Sequence, residues 1–129
     1  MDLYRDNILD HYQNPRNWGS LTGSAVKVSH NNPSCGDSIT VSLKLDSGKI
    51  ADIKFTGNGC AISMASASML TEYIMGKSVT DALVVKREDV EKLLGTKLTL
   101  ARLKCALLPL ETIRQALVES AKTRLPKPS

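Results

Sequence analysis

The sequence predicts an α+β domain, a small, about three-stranded antiparallel sheet packed on one side by helices. Three observations carry that reading. Ile39, Val41, Leu43 and Leu45 alternate with Ser38, Thr40, Ser42 and Lys44, a period of two that gives a strand one buried and one wet face. Asp46-Ser47-Gly48-Lys49 reads as a hairpin turn, and Ala51, Ile53 and Phe55 alternate along the returning strand. After Gly57-Asn58-Gly59 the apolar spacing changes to steps of three and four. Strands come first and helices follow, which separates α+β from the alternating α/β class.

The remaining elements follow in chain order. Residues 2–12 predict a short amphipathic helix with Tyr4, Ile8 and Tyr12 on one face, stopped by Asn14-Pro15-Arg16-Asn17. A first strand is expected from about Ala25 to Asn31. The central helix carries Ile62, Ala65, Met69 and Tyr73 as its apolar stripe and stops at Gly76. Ser78-Val79-Thr80-Asp81 has capping-box spacing and opens a short helix, and a second runs from about Arg87 to Leu94 before Gly95. The last helix presents Leu110, Ile113, Leu117 and Ala121 to the core, with Pro109 expected in its first turn, where a missing N–H is tolerated. Pro126-Lys127-Pro128-Ser129 reads as a frayed tail. No repeat or linker divides the chain, so residues 1–129 form one domain.

At 129 residues the chain suffices for one core without disulfides or a structural metal. It has one Phe, one Trp and three Tyr, so aliphatic side chains must fill that core. No apolar run approaches the ~20 residues of a membrane helix, and the polar, acidic start Met1–Asp6 is unlike a secretory signal. The net charge of +4 is local. From Arg102 onward six basic residues stand against Glu111 and Glu119, while the first 101 residues balance. That segment lacks the dense cluster and stacking aromatics of a nucleic-acid footprint. It suits either a solvated helix face or a docking surface for an acidic protein partner.

Three cysteines, Cys35, Cys60 and Cys105, make a poor disulfide framework and point to a reducing cytosol. Each lies at a junction. Cys35 sits in the turn Asn32-Pro33-Ser34-Cys35-Gly36-Asp37, Cys60 follows Gly57-Asn58-Gly59 at a helix start, and Cys105 is expected before or within the first turn of the last helix. Free N–H groups and the positive dipole end at a helix start favour thiolate, the form that binds metal and attacks sulfur. The neighbouring glycines permit close backbone approach and unusual dihedrals. Asp37 adds a hard oxygen ligand that exchanges more readily than sulfur. Three thiolates and a carboxylate match tetrahedral zinc or an iron–sulfur cluster with one labile corner. Three inert, packed thiols are the alternative that spacing alone leaves open.

Several segments together resemble the IscU/SufU/NifU N-terminal family of iron–sulfur cluster assembly scaffolds, over nearly the whole chain. They are Leu3-Tyr4-Arg5, Asp10-His11-Tyr12-Gln13-Asn14-Pro15-Arg16-Asn17, and Asn32-Pro33-Ser34-Cys35-Gly36-Asp37. Gly57-Asn58-Gly59-Cys60-Ala61-Ile62-Ser63, Ala65-Ser66-Ala67-Ser68-Met69, Gly76-Lys77-Ser78 and Arg102-Leu103-Lys104-Cys105-Ala106 continue the match. The resemblance implies an IscU/NifU-N-like fold and a site where Cys35, Asp37, Cys60 and Cys105 bind a transient [2Fe–2S] cluster or Zn²⁺. It also implies a cysteine desulfurase as sulfur donor, acceptor apo-proteins as recipients and room for an iron donor. Neither nucleic acid nor membrane is an expected partner.

Two departures bear on the branch. The IscU branch usually has His before its third Cys, where this chain has Lys104. An ammonium group cannot ligate metal, but Lys104 could hold Cys105 as thiolate or attract an incoming persulfide. Leu98-Thr99-Leu100-Ala101-Arg102 stands where that branch has Leu-Pro-Pro-Val-Lys, which argues against its dedicated Hsp70 chaperone. Lys-Cys-Ala is similar to the SufU branch, yet the 45-residue spacing from Cys60 to Cys105 leaves no room for the usual SufU insertion. The alternative function is accordingly a zinc-dependent sulfurtransferase in which Cys105 accepts the persulfide; an inert structural zinc domain is a third. His11 and His30 read as ordinary surface or core residues, and Met64, Met69 and Met75 as packing. No P-loop, dinucleotide fingerprint or Ser-His-Asp order is present.

Overall fold

The alternating segments pair as expected. The computed structural model describes residues 3–23, 25–33 and 36–124. Strands β1 (Val26–Asn32), β2 (Asp37–Asp46) and β3 (Lys49–Asn58) form one antiparallel sheet in that order. At the β2–β3 turn Ser47 has φ 53° and Gly48 φ 77°, the doubled left-handed geometry of a two-residue hairpin. Leu45 pairs with Ile50 but Lys44 pairs with Asp52, so Ala51 is the extra residue of a bulge. One residue of slip exchanges the faces. Ile50 is therefore buried and Ala51 exposed, which corrects the inward placement of Ala51.

Five helices follow the chain: α1 (Leu3–Gln13), α2 (Ala61–Ile74), α3 (Val79–Leu83), α4 (Arg87–Leu94) and α5 (Leu100–Arg124). α5 packs on β1 and β2, α2 packs on β3, and the two helices touch. Val41, Leu43, Ile53 and Phe55 meet Leu70, Ile74, Ile113 and Leu117 in an aliphatic core. α2 is buried on nearly every side, because α1, α5 and the sheet all contact it. Its run of Ala and Ser permits that close approach. Tyr73 is exposed and Ile74 takes the core position expected for it.

α1 docks through His11, whose Nδ1 lies 2.7 Å from Ser68 Oγ. Burial is the main reason that the His11 pKa is lowered, with the Arg16 charge second. Tyr12, expected on the inner face, is exposed; Asp2 and the side chain of Tyr4 lie outside the described residues. Beyond α1, Phe55 N–H donates to Asn17 O and Gly19 N–H donates to Phe55 O, both at 2.9 Å. This segment covers the outer edge of β3. Ser78 caps α3 by accepting the Asp81 N–H at 3.1 Å, and Gly95 ends α4 with φ 76°.

α5 departs most from expectation. It begins at Leu100, so Pro109 is its tenth residue rather than part of its first turn. Pro109 cannot donate the helical bond to the carbonyl of Cys105, four residues earlier. The buried stretch of Ala106, Leu108, Leu110, Ile113 and Leu117 carries the helix through. Its true start is marked by Thr99, whose Oγ1 accepts the Arg102 N–H at 3.4 Å. The 126–129 tail and the side chains of Lys122 and Arg124, half of the basic cluster with Lys127, lie outside the described residues. Among the described residues no helix is long and apolar enough to cross a membrane.

Candidate metal centre

The β2–β3 register assembles the first part of the site. Ser38 pairs with Asn58, so Asp37 at the start of β2 lies beside Gly59 and Cys60 at the end of β3. The second turn of α5 brings Cys105 to the same place. One ligand atom from each of Asp37, Cys60 and Cys105 lies within 4.8 Å of the others. Asp37 and Cys105 are buried, at 4% and 9% exposure, and Cys60 is exposed. No disulfide joins the two thiols. Cys35, the fourth expected ligand, lies outside the described residues.

The carboxylate is held at one oxygen. Asp37 Oδ1 accepts the Cys60 N–H at 3.3 Å, while Oδ2 lies 3.9 Å from Cys60 Sγ. Asp37 thereby satisfies a donor at the start of α2, where the helix dipole favours negative charge. Cys60 is the N-cap residue of α2, with extended φ −72° and ψ 168°. Ser63, in the first turn, donates to the Cys60 carbonyl at 3.1 Å, and its Oγ is 3.7 Å from Cys60 Sγ.

Space explains two of the glycines. A Cβ on Gly59 would stand 2.5 Å from Ser63 Oγ and 2.9 Å from Asp37 Cγ. A Cβ on Gly57 would stand 2.5 Å from the Ser38 carbonyl oxygen. Close approach, not an unusual dihedral, demands glycine at both. Gly36 differs: its φ is 72°, with nothing for a Cβ to meet.

Cys105 corrects one expectation. It is the sixth residue of α5, inside the helix rather than at its start. The expectation that a helix start favours thiolate therefore has no place at Cys105. Lys104 is exposed and stands outside the ligand group. It lines a cavity of about 250 Å³ with Asn31, Asn32, Pro33 and Glu111, between α5 and the end of β1. On the other side, Tyr12, Pro15, Trp18 and Met64 line a groove of about 440 Å³ backed by Gly57-Asn58-Gly59. His11 is a core residue, and neither it nor His30 joins the ligand group.

The donor set fits a soft metal. Thiolates bind zinc at ~2.3 Å and carboxylate oxygens at ~2.0–2.2 Å, so tetrahedral ligand atoms lie roughly 3.5–4 Å apart. A small closure of the 4.8 Å group reaches that spacing. The structure brings together Asp37, Cys60 and Cys105, all singled out in the sequence, and adds against Cys60 a residue that was not, Ser63. Its signal was the position three residues after the cap, where capping-box partners sit.

Similarity to known proteins agrees with this arrangement. The chain is 42% identical to the zinc-dependent sulfurtransferase SufU of Bacillus subtilis, over 91% of this chain and 90% of that protein. It is 38% identical to an iron–sulfur cluster assembly scaffold protein IscU of Archaeoglobus fulgidus, over 91% of this chain and 76% of the other. A crystal structure of a candidate cluster assembly scaffold protein for the SUF system, from Fervidobacterium islandicum, superposes with a TM-score of 0.74 at 29% identity. That superposition covers 87% of this chain and 94% of that one. The profile of the NifU-like N-terminal domain matches residues 3–125. With that match spanning the sheet, the five helices of the described residues and Cys35, Asp37, Cys60 and Cys105, the chain belongs to the NifU-like N-terminal domain family.

Proposed function

We propose that the protein is an iron–sulfur cluster assembly scaffold. It receives sulfur from a cysteine desulfurase, builds a transient [2Fe–2S] cluster on Cys35, Asp37, Cys60 and Cys105, and passes it to acceptor apo-proteins. The cluster is cargo, so the protein acts as a carrier rather than an enzyme. The observation that carries this reading is Asp37. With Oδ1 engaged by the Cys60 N–H, Oδ2 is the oxygen left to face the Cys60 sulfur. A single-oxygen contact among thiolates is the weakest corner of the set and the natural point of exit. The thiols must stay reduced, which suits a cytoplasmic setting.

Sulfur delivery is read as attack of the Cys105 thiolate on the outer sulfur of the donor's persulfide. The donor's S–S bond breaks, its cysteine leaves as thiolate, and the persulfide proton stays on the transferred sulfur. Lys104 lies beside Cys105 in the chain and lines the adjoining cavity, where its charge would draw an anionic donor. Lys104 in place of a ligating His also favours a second reading, a zinc-dependent sulfurtransferase. There Zn²⁺ supplies cohesion to the site, and Cys105 leaves it to accept sulfur.

Metal analysis and visible spectroscopy on protein purified anaerobically, then supplied with iron, cysteine and a desulfurase, separate the two. The scaffold reading predicts a coloured protein with two irons per chain that gives up its cluster to an acceptor. Asp37→Ala should slow release and lengthen the lifetime of that cluster. Colourless protein holding one zinc and resisting reconstitution selects the sulfurtransferase.

A further inference from the structure

Ser63 is no ligand, yet it is fully buried against one. When Cys60 is a thiol, two hydrogen bonds are satisfied together. The Ser63 O–H donates to the Cys60 carbonyl at 3.1 Å, and Ser63 Oγ at 3.7 Å and Asp37 Oδ2 at 3.9 Å are the acceptors within reach of the Cys60 S–H. A metal-bound sulfur has lost its proton and can only accept. The hydroxyl hydrogen turns about its C–O bond, so Ser63 can redirect it from the carbonyl to the sulfur without moving a heavy atom.

We propose that Ser63 is a positioning residue for the metal centre, a hydroxyl that switches from the Cys60 carbonyl to the Cys60 sulfur when that sulfur binds metal. The inference rests on the metal-binding reading above and adds to it an outer hydrogen bond. A Cβ on Gly59 would stand 2.5 Å from Ser63 Oγ and 2.9 Å from Asp37 Oδ1, so glycine there lets serine and carboxylate share this corner. A hydrogen bond donated to a ligating sulfur stabilises the negative charge that metal binding requires and fixes the orientation of the ligand. Loss of such outer partners typically costs 10- to 100-fold in metal affinity.

The test uses the whole chain, titrated anaerobically with Co²⁺ against a competing chelator while the sulfur-to-cobalt charge-transfer band is recorded. Ser63→Ala should bind cobalt about tenfold more weakly, with the band moved to lower energy because the sulfur charge is less stabilised. Ser66→Ala is the control. The Ser66 hydroxyl is equally buried on α2, three residues further on, and has no hydrogen-bond partner. It should match the parent protein in affinity and band. Parent-like binding and spectrum in Ser63→Ala would overturn the inference and leave the metal site standing, as would an equal change in Ser66→Ala. Absence of the band in the parent protein would overturn both.

Discussion

Cys60 and Cys105 hold the same thiol in opposite settings. Cys60 is exposed as the N-cap of α2, with its N–H on Asp37 and its sulfur beside Ser63. Cys105 is buried in the second turn of α5, four residues ahead of Pro109. Local polar contacts position the first, whereas helix packing on the sheet positions the second. The difference teaches how one site combines firmness with exchange: one wall belongs to the core, the other to a loop and a helix end.

If the loop wall depends on missing side-chain volume, Gly59→Ala should have the largest effect. The added Cβ meets Ser63 Oγ at 2.5 Å, so the loop must shift and separate Asp37 from Cys60. Zinc affinity, measured by chelator competition, is expected to fall on the order of a hundredfold. Cys60→Ala and Cys105→Ala should both lose tight metal binding but differ in the metal-free protein. Urea unfolding is expected to show Cys105→Ala about 1 kcal/mol less stable, as its buried sulfur leaves a void. For Cys60→Ala the change should stay within about 0.5 kcal/mol. Equal losses would remove the contrast.

The smallest effect concerns His11 of α1, which stands outside the ligand group. Burial first, and Arg16 second, lower the His11 pKa below its ordinary 6.5. Between the two values the unfolded chain binds a proton that the folded chain does not, so stability is full above about 6.5 and falls as pH drops below it. Metal-free protein should therefore melt a few degrees lower at mildly acidic pH than at neutrality. His11→Gln should flatten that dependence, as followed by circular dichroism.

The contrast between the thiols also shows what sequence could reveal. The hairpin, the central helix and the Cys60 cap were legible because their signals are local: alternation, a Ser-Gly turn and a Gly-Asn-Gly break before an apolar run. The start of α5 was not, because Pro109 imitates a first-turn proline. The weaker cap at Thr99 determines the start, and burial of the following turns carries the helix past the proline. Ala51 and Ile50 exchanged faces through a bulge that alternation alone does not record. Asp37 was legible as a candidate ligand from its closeness to Cys35 in sequence. Its bond to the Cys60 N–H depends on the pairing of β2 with β3, and Ser63 emerged only once Cys60 was seen to cap α2.

The central claim is that Asp37, Cys60 and Cys105 close on one metal, with Cys35 as the remaining ligand. X-ray absorption spectroscopy of the zinc-loaded protein tests it most directly. The account predicts three sulfurs at about 2.3 Å and one oxygen at about 2.0 Å, with one sulfur lost in Cys60→Ala and the oxygen lost in Asp37→Ala. A shell of nitrogen and oxygen alone, or a parent-like shell retained in either variant, would contradict it.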